Sequence, residues 1–142
     1  MSFQLDQFLP YQLSVAATEV SRRFAARYAA EAGISIPEWR VLAHLGHSGA
    51  VSVRDITQRV HLDKSVVSRA ASRLQEVGYV AKSDHGKDRR LIVLQLTPQG
   101  EDLMRRLSAV ADKFQDELRA LLGKDAAAFE NGLARLLAGA DG

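Results

Sequence analysis

Cysteine is absent from the 142 residues. That removes disulfide frameworks, thiolate zinc sites, cysteine nucleophiles and thiol-based redox sensing together. The same absence fits a reducing compartment, and a cytoplasmic protein is the expectation. The chain has no apolar run near the roughly 18 residues that a membrane-crossing helix needs. Its first residues, Met1-Ser2-Phe3-Gln4-Leu5-Asp6, lack a basic region leading into an apolar core, so no secretory signal is expected. Catalytic signatures are also missing: there is no G-x-S-x-G, no H-E-x-x-H and no G-K-[ST] loop. An enzyme is therefore not expected. No internal repeat or low-complexity stretch interrupts the chain.

Charge of one sign is scarce as well. Nineteen Lys and Arg stand against 17 Asp and Glu, a net charge of +2 that by itself suggests no anionic partner. With 46% hydrophobic and 25% charged residues the composition is that of an ordinary globular protein, and the length suits one well-cored domain. The position of the charges is more informative than their sum. Residues 51–96 carry nine basic side chains (Arg54, Arg59, Lys64, Arg69, Arg73, Lys82, Lys87, Arg89, Arg90) against five acidic ones, a local +4. The flanks carry ten basic and twelve acidic residues, −2. A basic centre between mildly acidic ends reads either as a module facing an anion or as an unevenly solvated surface.

Helical periodicity dominates the chain. Leu9, Leu13, Ala17, Val20, Phe24 and Tyr28 recur at spacings of three and four, one apolar stripe on a long helix that Gly33 is placed to stop. Ser35-Ile36-Pro37-Glu38 has the S-x-x-E form of a capping box and opens a second helix. Its expected buried face is Trp39, Leu42, Ala43 and Gly46, with Leu45 at the edge. Val51 suggests a brief extended segment. Ser52 then caps a short helix with Val53, Ile56 and Val60 inward, and Asp63 caps another running to about Val77 before Gly78. Val67, Ala70, Ala71, Leu74 and Val77 form the expected inner stripe of that helix. Ser65, Ser68, Arg69 and Ser72 lie outside.

Past Gly78 the period shortens to that of strands, over Tyr79 to Lys82 and Leu91 to Leu96. The polar run Ser83 to Arg90 between them is predicted as a hairpin loop. Thr97-Pro98 restarts a helix carrying Leu103, Leu107, Val110, Phe114, Leu118 and Leu121, and a final one follows Gly123 with Phe129, Leu133, Leu136 and Leu137. The expected fold is mainly α with a small β-hairpin. It divides into an N-terminal helix (1–34), a winged helix–turn–helix region (35–97) and C-terminal helices (98–142). A helix face of Ser65, Ser68, Arg69 and Ser72 packs poorly but donates well in a DNA groove. A thin hairpin bearing Lys87, Arg89 and Arg90 repels itself unless an anion neutralises it.

The stretch Asp88-Arg89-Arg90-Leu91-Ile92-Val93-Leu94-Gln95-Leu96-Thr97, followed by Gly100, resembles the D-x-R-x-x-x-x-x-L-T wing signature of the MarR family of bacterial transcription regulators. Leu62 to Arg69 and Arg73 to Val80 are similar to that family's recognition helix running into its wing. Ile34-Ser35 and Trp39-Arg40-Val41-Leu42, with Leu45, are similar to its second helix. A departure is Ile56-Thr57, where the family usually has Leu-Ala.

The resemblance implies a homodimer whose first and last two helices interleave with a partner. The apolar stripes of the terminal helices agree, because a small winged domain does not bury them alone. It also implies a sequence-specific regulator on double-stranded, pseudo-palindromic DNA, a repressor relieved by a small ligand, with an activator or a protein-binding winged domain as the alternatives. Ser65, Ser68 and Arg69 would read base edges, and Lys64 and Ser72 would hold phosphate. Arg90 would enter the minor groove, held by Asp88, with Lys87 and Arg89 on phosphate. Arg54 and Arg73 are either DNA contacts or structural ion-pair partners. A small and perhaps aromatic effector would sit near Tyr11, Trp39, Arg40 and His44, although Trp39 also reads as core. His44 and His47 have a metal-compatible spacing without a third ligand, so neither metal nor cofactor is expected. The missing cysteine excludes the thiol-based peroxide sensors of the family.

Overall fold

The computed structural model of the chain describes residues 2–85 and 88–139, apart from the side chains of residues 84, 85 and 88–91. After a 3-10 turn at Leu5–Gln7 come helices α1 (Leu9–Ala32) and α2 (Ile36–Ser48), strand β1 (Val51–Ser52), and helices α3 (Val53–Val60) and α4 (Lys64–Glu76). Strands β2 (Val80–His85) and β3 (Asp88–Leu96) follow, then α5 (Pro98–Leu122), a 3-10 turn at Gly123–Asp125 and α6 (Ala126–Gly139). The chain forms two compact units, residues 1–108 and 109–142. No helix among the described residues is long and apolar enough to cross a membrane.

Local chemistry sets most of these boundaries. Gly33 closes α1 in the left-handed conformation (φ 65°), and its N–H donates to the Ala29 carbonyl. The capping box forms as the sequence suggests. Ser35 Oγ accepts from the Glu38 N–H at 3.3 Å, and Glu38 Oε1 accepts from the Ser35 N–H at 2.8 Å. Ser52 Oγ takes the Asp55 N–H at 3.1 Å and starts α3. Thr97 Oγ1 accepts from the Gly100 N–H at 3.0 Å and starts α5. The hydroxyl of Thr57, the departure from the family pattern, donates back to the Val53 carbonyl at 2.8 Å. Its polarity is thus satisfied within its own helix and leaves no unpaired group at the crossing with α4.

In the first unit one core joins all layers. Val41, Leu42 and Leu45 of α2 pack with Ile56 of α3, Val67, Ala70, Ala71 and Leu74 of α4, Val80 and Leu94 of the sheet, Tyr28 of α1, and Leu103 and Leu107 of α5. Two expected faces differ. The buried face of α2 is Glu38, Val41, Leu42 and Leu45, while Gly46 is exposed and Trp39 and Ala43 are half-buried. Contacts from α3, α4 and β3 fall on one side of α2, and they rotate its buried stripe away from Gly46. Val77 is 44% exposed rather than buried, because α4 ends at Glu76 and the chain reverses through Gly78 at φ 90°.

The sheet is antiparallel with order β1-β3-β2, so a third strand joins the expected hairpin. Val51 pairs with Leu94 and Ser52 with Val93. The predicted loop is largely strand. Ser83 pairs with Val93, Asp84 with Ile92, and, past an irregularity, His85 with Asp88. Arg89 and Arg90 lie in β3, whereas Gly86 and Lys87 are outside the described residues. The outer pairs of the ribbon are held by main-chain ladder bonds, which need no apolar alternation, so the polar sequence read as loop while its backbone continued the ladder.

Candidate functional site

The inner stripe of α4 fixes what its other side presents. With Val67, Ala70, Ala71 and Leu74 in the core, Lys64, Ser65, Arg69 and Ser72 are exposed and Ser68 is half-buried. Asp63 holds the extended N-cap backbone, and its carbonyl accepts from the Val67 N–H at 3.0 Å, but its carboxylate makes no capping bond. The five residues expected to meet DNA therefore share one element and its solvent side. Asp88, Arg89 and Arg90 open β3; their side chains, and Lys87 altogether, lie outside the description.

Sequence reasoning counted Lys82 only as charge. In the structure its Nζ donates to Ser72 Oγ at 3.0 Å, which ties β2 to the outer side of α4. The period-two pattern from Val80 could have placed Lys82 on the helix side of the ribbon. Arg69 and Arg73 border a hollow of about 290 Å³ against Ser35, Pro37 and Glu38 at the start of α2. Arg54 borders another of about 340 Å³ that includes Ser52, Asp55 and Arg59.

Three of the four residues expected around an effector come together. Trp39, Arg40 and His44 line a hollow of about 390 Å³ with Ala43, His47, Arg59 and Val60. Tyr11 does not line it. It lies 17 positions before Tyr28 on α1, about 25 Å along the helix, and is 43% exposed. Trp39 is also a packing residue, stacked on Tyr28 (centroids 5.5 Å apart, 18° between planes) and edge-on to Phe24 at 5.0 Å.

His44 is the best-defined polar group of this hollow. Its Nε2 lies 3.0 Å from an Arg59 guanidinium nitrogen and 3.3 Å from Ser48 Oγ. A guanidinium only donates, so Nε2 accepts and the ring proton sits on Nδ1. Burial, then the Arg59 charge, then His47 hold its pKa below the ordinary imidazole value. Sequence reasoning did not find Arg59, which reaches this site from α3. Among the described residues no three His, Cys, Asp or Glu side chains gather as a metal site.

A short helix, a turn, a second helix with a polar outer side and an antiparallel ribbon together define a winged helix–turn–helix protein. The MarR family model matches residues 32–91, from the end of α1 into the ribbon. Over that span the chain is similar to the MarR family of transcription regulators. It is 27% identical to the MarR family transcriptional regulator SPO1453 from Silicibacter pomeroyi, with a TM-score of 0.83 over 96% of this chain and 97% of that one. Bordetella bronchiseptica BpsR, whose DNA binding is regulated by 6-hydroxynicotinic acid, shares the fold at 20% identity, with a TM-score of 0.81 over 97% of this chain and 98% of that one. The transcriptional regulator FarR of Neisseria gonorrhoeae is 24% identical over 95 residues. That match takes in 67% of this chain and 65% of FarR, so the chain spans just under two thirds of that relative.

Proposed function

We propose that the chain is a sequence-specific double-stranded DNA-binding transcription regulator, a cytoplasmic homodimer that represses from a pseudo-palindromic operator and responds to a small ligand. The observation that carries this reading is the outer side of α4, where Lys64, Ser65, Arg69 and Ser72 stand exposed on a helix whose opposite stripe is fixed in the core. A helix held that firmly can enter a major groove without first being ordered. Arg69 forks onto a guanine edge, and Ser65 and Ser68 donate to or accept from neighbouring bases. Lys64 and Ser72 hold phosphate and set the register. At the ribbon, Arg90 enters the minor groove with Asp88 fixing its guanidinium, while Lys87 and Arg89 neutralise phosphate.

Ligand response is supported by the hollow of Trp39, Arg40 and His44, and by the regulation of BpsR through 6-hydroxynicotinic acid. The test is a gel shift with DNA from just upstream of the chain's own gene, at physiological salt and with nonspecific competitor. Specific retention by the wild type is expected. Arg69→Ala should lose about 1–3 kcal/mol of binding and relax selection at one base pair of each half-site. Retention equal on operator and competitor DNA, or an Arg69→Ala protein with wild-type affinity and selectivity, overturns the assignment.

A further inference from the structure

The sulfur of this chain is confined to Met1 and Met104, and no thiol competes with them for an oxidant. Met104 lies on α5, half-buried, and packs on the edge of the core to which its neighbours Leu103 and Leu107 belong. Its seat is made by Gly46 of α2. A Cβ on Gly46 would stand 3.3 Å from Met104 Cε and 3.5 Å from its Cγ, so the side chain rests closer to α2 than it could beside a larger residue without shifting. Away from that seat, Met104 walls a hollow of about 580 Å³ that is open to water and shared with His47 of α2 and Ser108 of α5. We propose that Met104 is an oxidation site for a peroxide, and that its sulfoxide parts α5 from α2 at Gly46.

The hollow gives the oxidant its entry, because hydrogen peroxide is close to water in size. A lone pair on Sδ attacks one peroxide oxygen. The S–O bond forms as the O–O bond breaks, and the proton on the attacked oxygen passes to the departing one, which leaves as water. Sulfur gives up two electrons, the peroxide is reduced, and one oxygen stays on the protein. The seat gives the reaction its consequence. The product is polar and chiral where the thioether was apolar and flexible. Sδ is bonded to both Cγ and Cε, the two atoms that rest on Gly46, so the new oxygen has two places to go. Toward Gly46 it meets main chain whose donors are already committed to the helix, and it pushes the two helices apart. Toward the hollow it accepts from His47 or Ser108 and draws Cε out of its seat.

Either turn opens the contact between α2 and α5. Val41, Leu42 and Leu45 of α2 share one core with Leu103 and Leu107 of α5, and the inner stripe of α4 is fixed in that core. Parting the first two helices therefore loosens the hold on α4. The loss of DNA binding that follows rests on the regulator reading; the oxidation site and the parting of the helices do not.

The experiment treats the intact chain with hydrogen peroxide, quenches with catalase and follows Met104 by peptide mapping in a mass spectrometer. Met104 should gain one oxygen at a rate within about tenfold of its rate in the urea-unfolded chain. The oxidised protein should melt about 3 °C or more below the untreated one, and a methionine sulfoxide reductase with a dithiol should restore it. Met104→Leu, shown folded by far-UV circular dichroism, should keep its melting point through the same treatment. Gly46→Ala fills the seat in advance, so its Met104 should oxidise at least as fast and its melting point should fall less on oxidation. The proposal fails if Met104 in the folded chain reacts more slowly than that tenfold limit, if the sulfoxide forms with no fall in melting point, or if Met104→Leu falls as far as the wild type. A gel shift on the same samples separates the two readings. Oxidation should weaken operator retention about tenfold in the wild type and leave Met104→Leu unchanged. Wild-type retention by a fully oxidised protein overturns the loosening of α4. If no sample retains the operator specifically while the sulfoxide still lowers the melting point, the regulator reading falls and the oxidation site stands.

Discussion

At Gly100 the first turn of α5 lies so close to the start of the ribbon that a Cβ placed there would overlap the Tyr79 carbonyl oxygen and come within 3.0 Å of its carbon. The same corner is knotted by Thr97, whose N–H donates to the Tyr79 carbonyl at 3.1 Å and whose hydroxyl donates to the Gly78 carbonyl at 2.6 Å. The two nearest atoms are Tyr79 main chain, which cannot swing aside as the Leu96 side chain at 3.3 Å can, so Gly100→Ala should cost about 3 kcal/mol or force the corner open. Urea unfolding measures this, and a wild-type midpoint would mean the corner is looser than it stands. The Thr97–Gly100 pair was visible in the sequence as part of a family signature. Its reason was not, because it depends on two segments about twenty residues apart meeting in space. Lys82 was hidden in the same way, since its bond to Ser72 joins a strand to a helix. With its ammonium beside the outer side of α4, Lys82→Ala should reduce the slope of log K against log salt for operator DNA by about one unit. An unchanged slope would confine Lys82 to holding Ser72.

At the scale of elements, boundaries were more legible than faces. Ser35, Glu38, Ser52, Thr97 and Gly33 announce helix ends through bonds to backbone within four residues, and such bonds are written in local sequence. Ser35→Ala removes the side-chain acceptor for the Glu38 N–H while the main-chain N–H that serves the Glu38 carboxylate stays, so thermal unfolding should register a loss of about 1 kcal/mol. The face that a helix buries is set by its neighbours, and α2 turned Gly46 out and Val41 in for that reason. The ribbon was misjudged because its outer pairs rest on main-chain bonds to which side-chain pattern is blind. The bond between α2 and α3 makes a pH-dependent contribution that can be signed. His44 titrates below its unfolded value when folded, so in the window between the two values the unfolded chain binds more protons. Its contribution is complete above the unfolded value of about 6.5 and is lost as pH falls through the folded one. Stability from urea unfolding should therefore fall more steeply below about pH 6.5 in the wild type than in His44→Gln, and parallel curves would show that the imidazole carries no such link.

For the whole molecule, the apolar residues outside the core matter most. In the first unit Leu5, Phe8, Leu9, Tyr11 and Leu13 are exposed, Leu9 by 67%; in the second, Leu121, Phe129, Leu136 and Leu137 are exposed, Leu121 and Leu137 by more than 70%. Water contact for that many large apolar groups, gathered at the two ends of the chain and scarce in its middle, is costly unless another surface covers them. The charge runs the opposite way, with +4 in residues 51–96 and −2 in the flanks. A second copy meeting the first through its terminal helices, as proposed, would hide the apolar ends and leave the basic centres of both chains free for one duplex. None of the four exposed residues of the second unit belongs to the core around α2 and α4, so replacing them should spare the winged region. Leu121→Glu combined with Leu137→Glu should sediment as a monomer at micromolar concentration, where the wild type sediments as a dimer, with the far-UV spectrum unchanged. Operator binding should weaken and become steeper in protein concentration, since two half-sites would then capture two separate chains. A double variant that sediments as a dimer and binds the operator like the wild type would exclude both leucines from the contact.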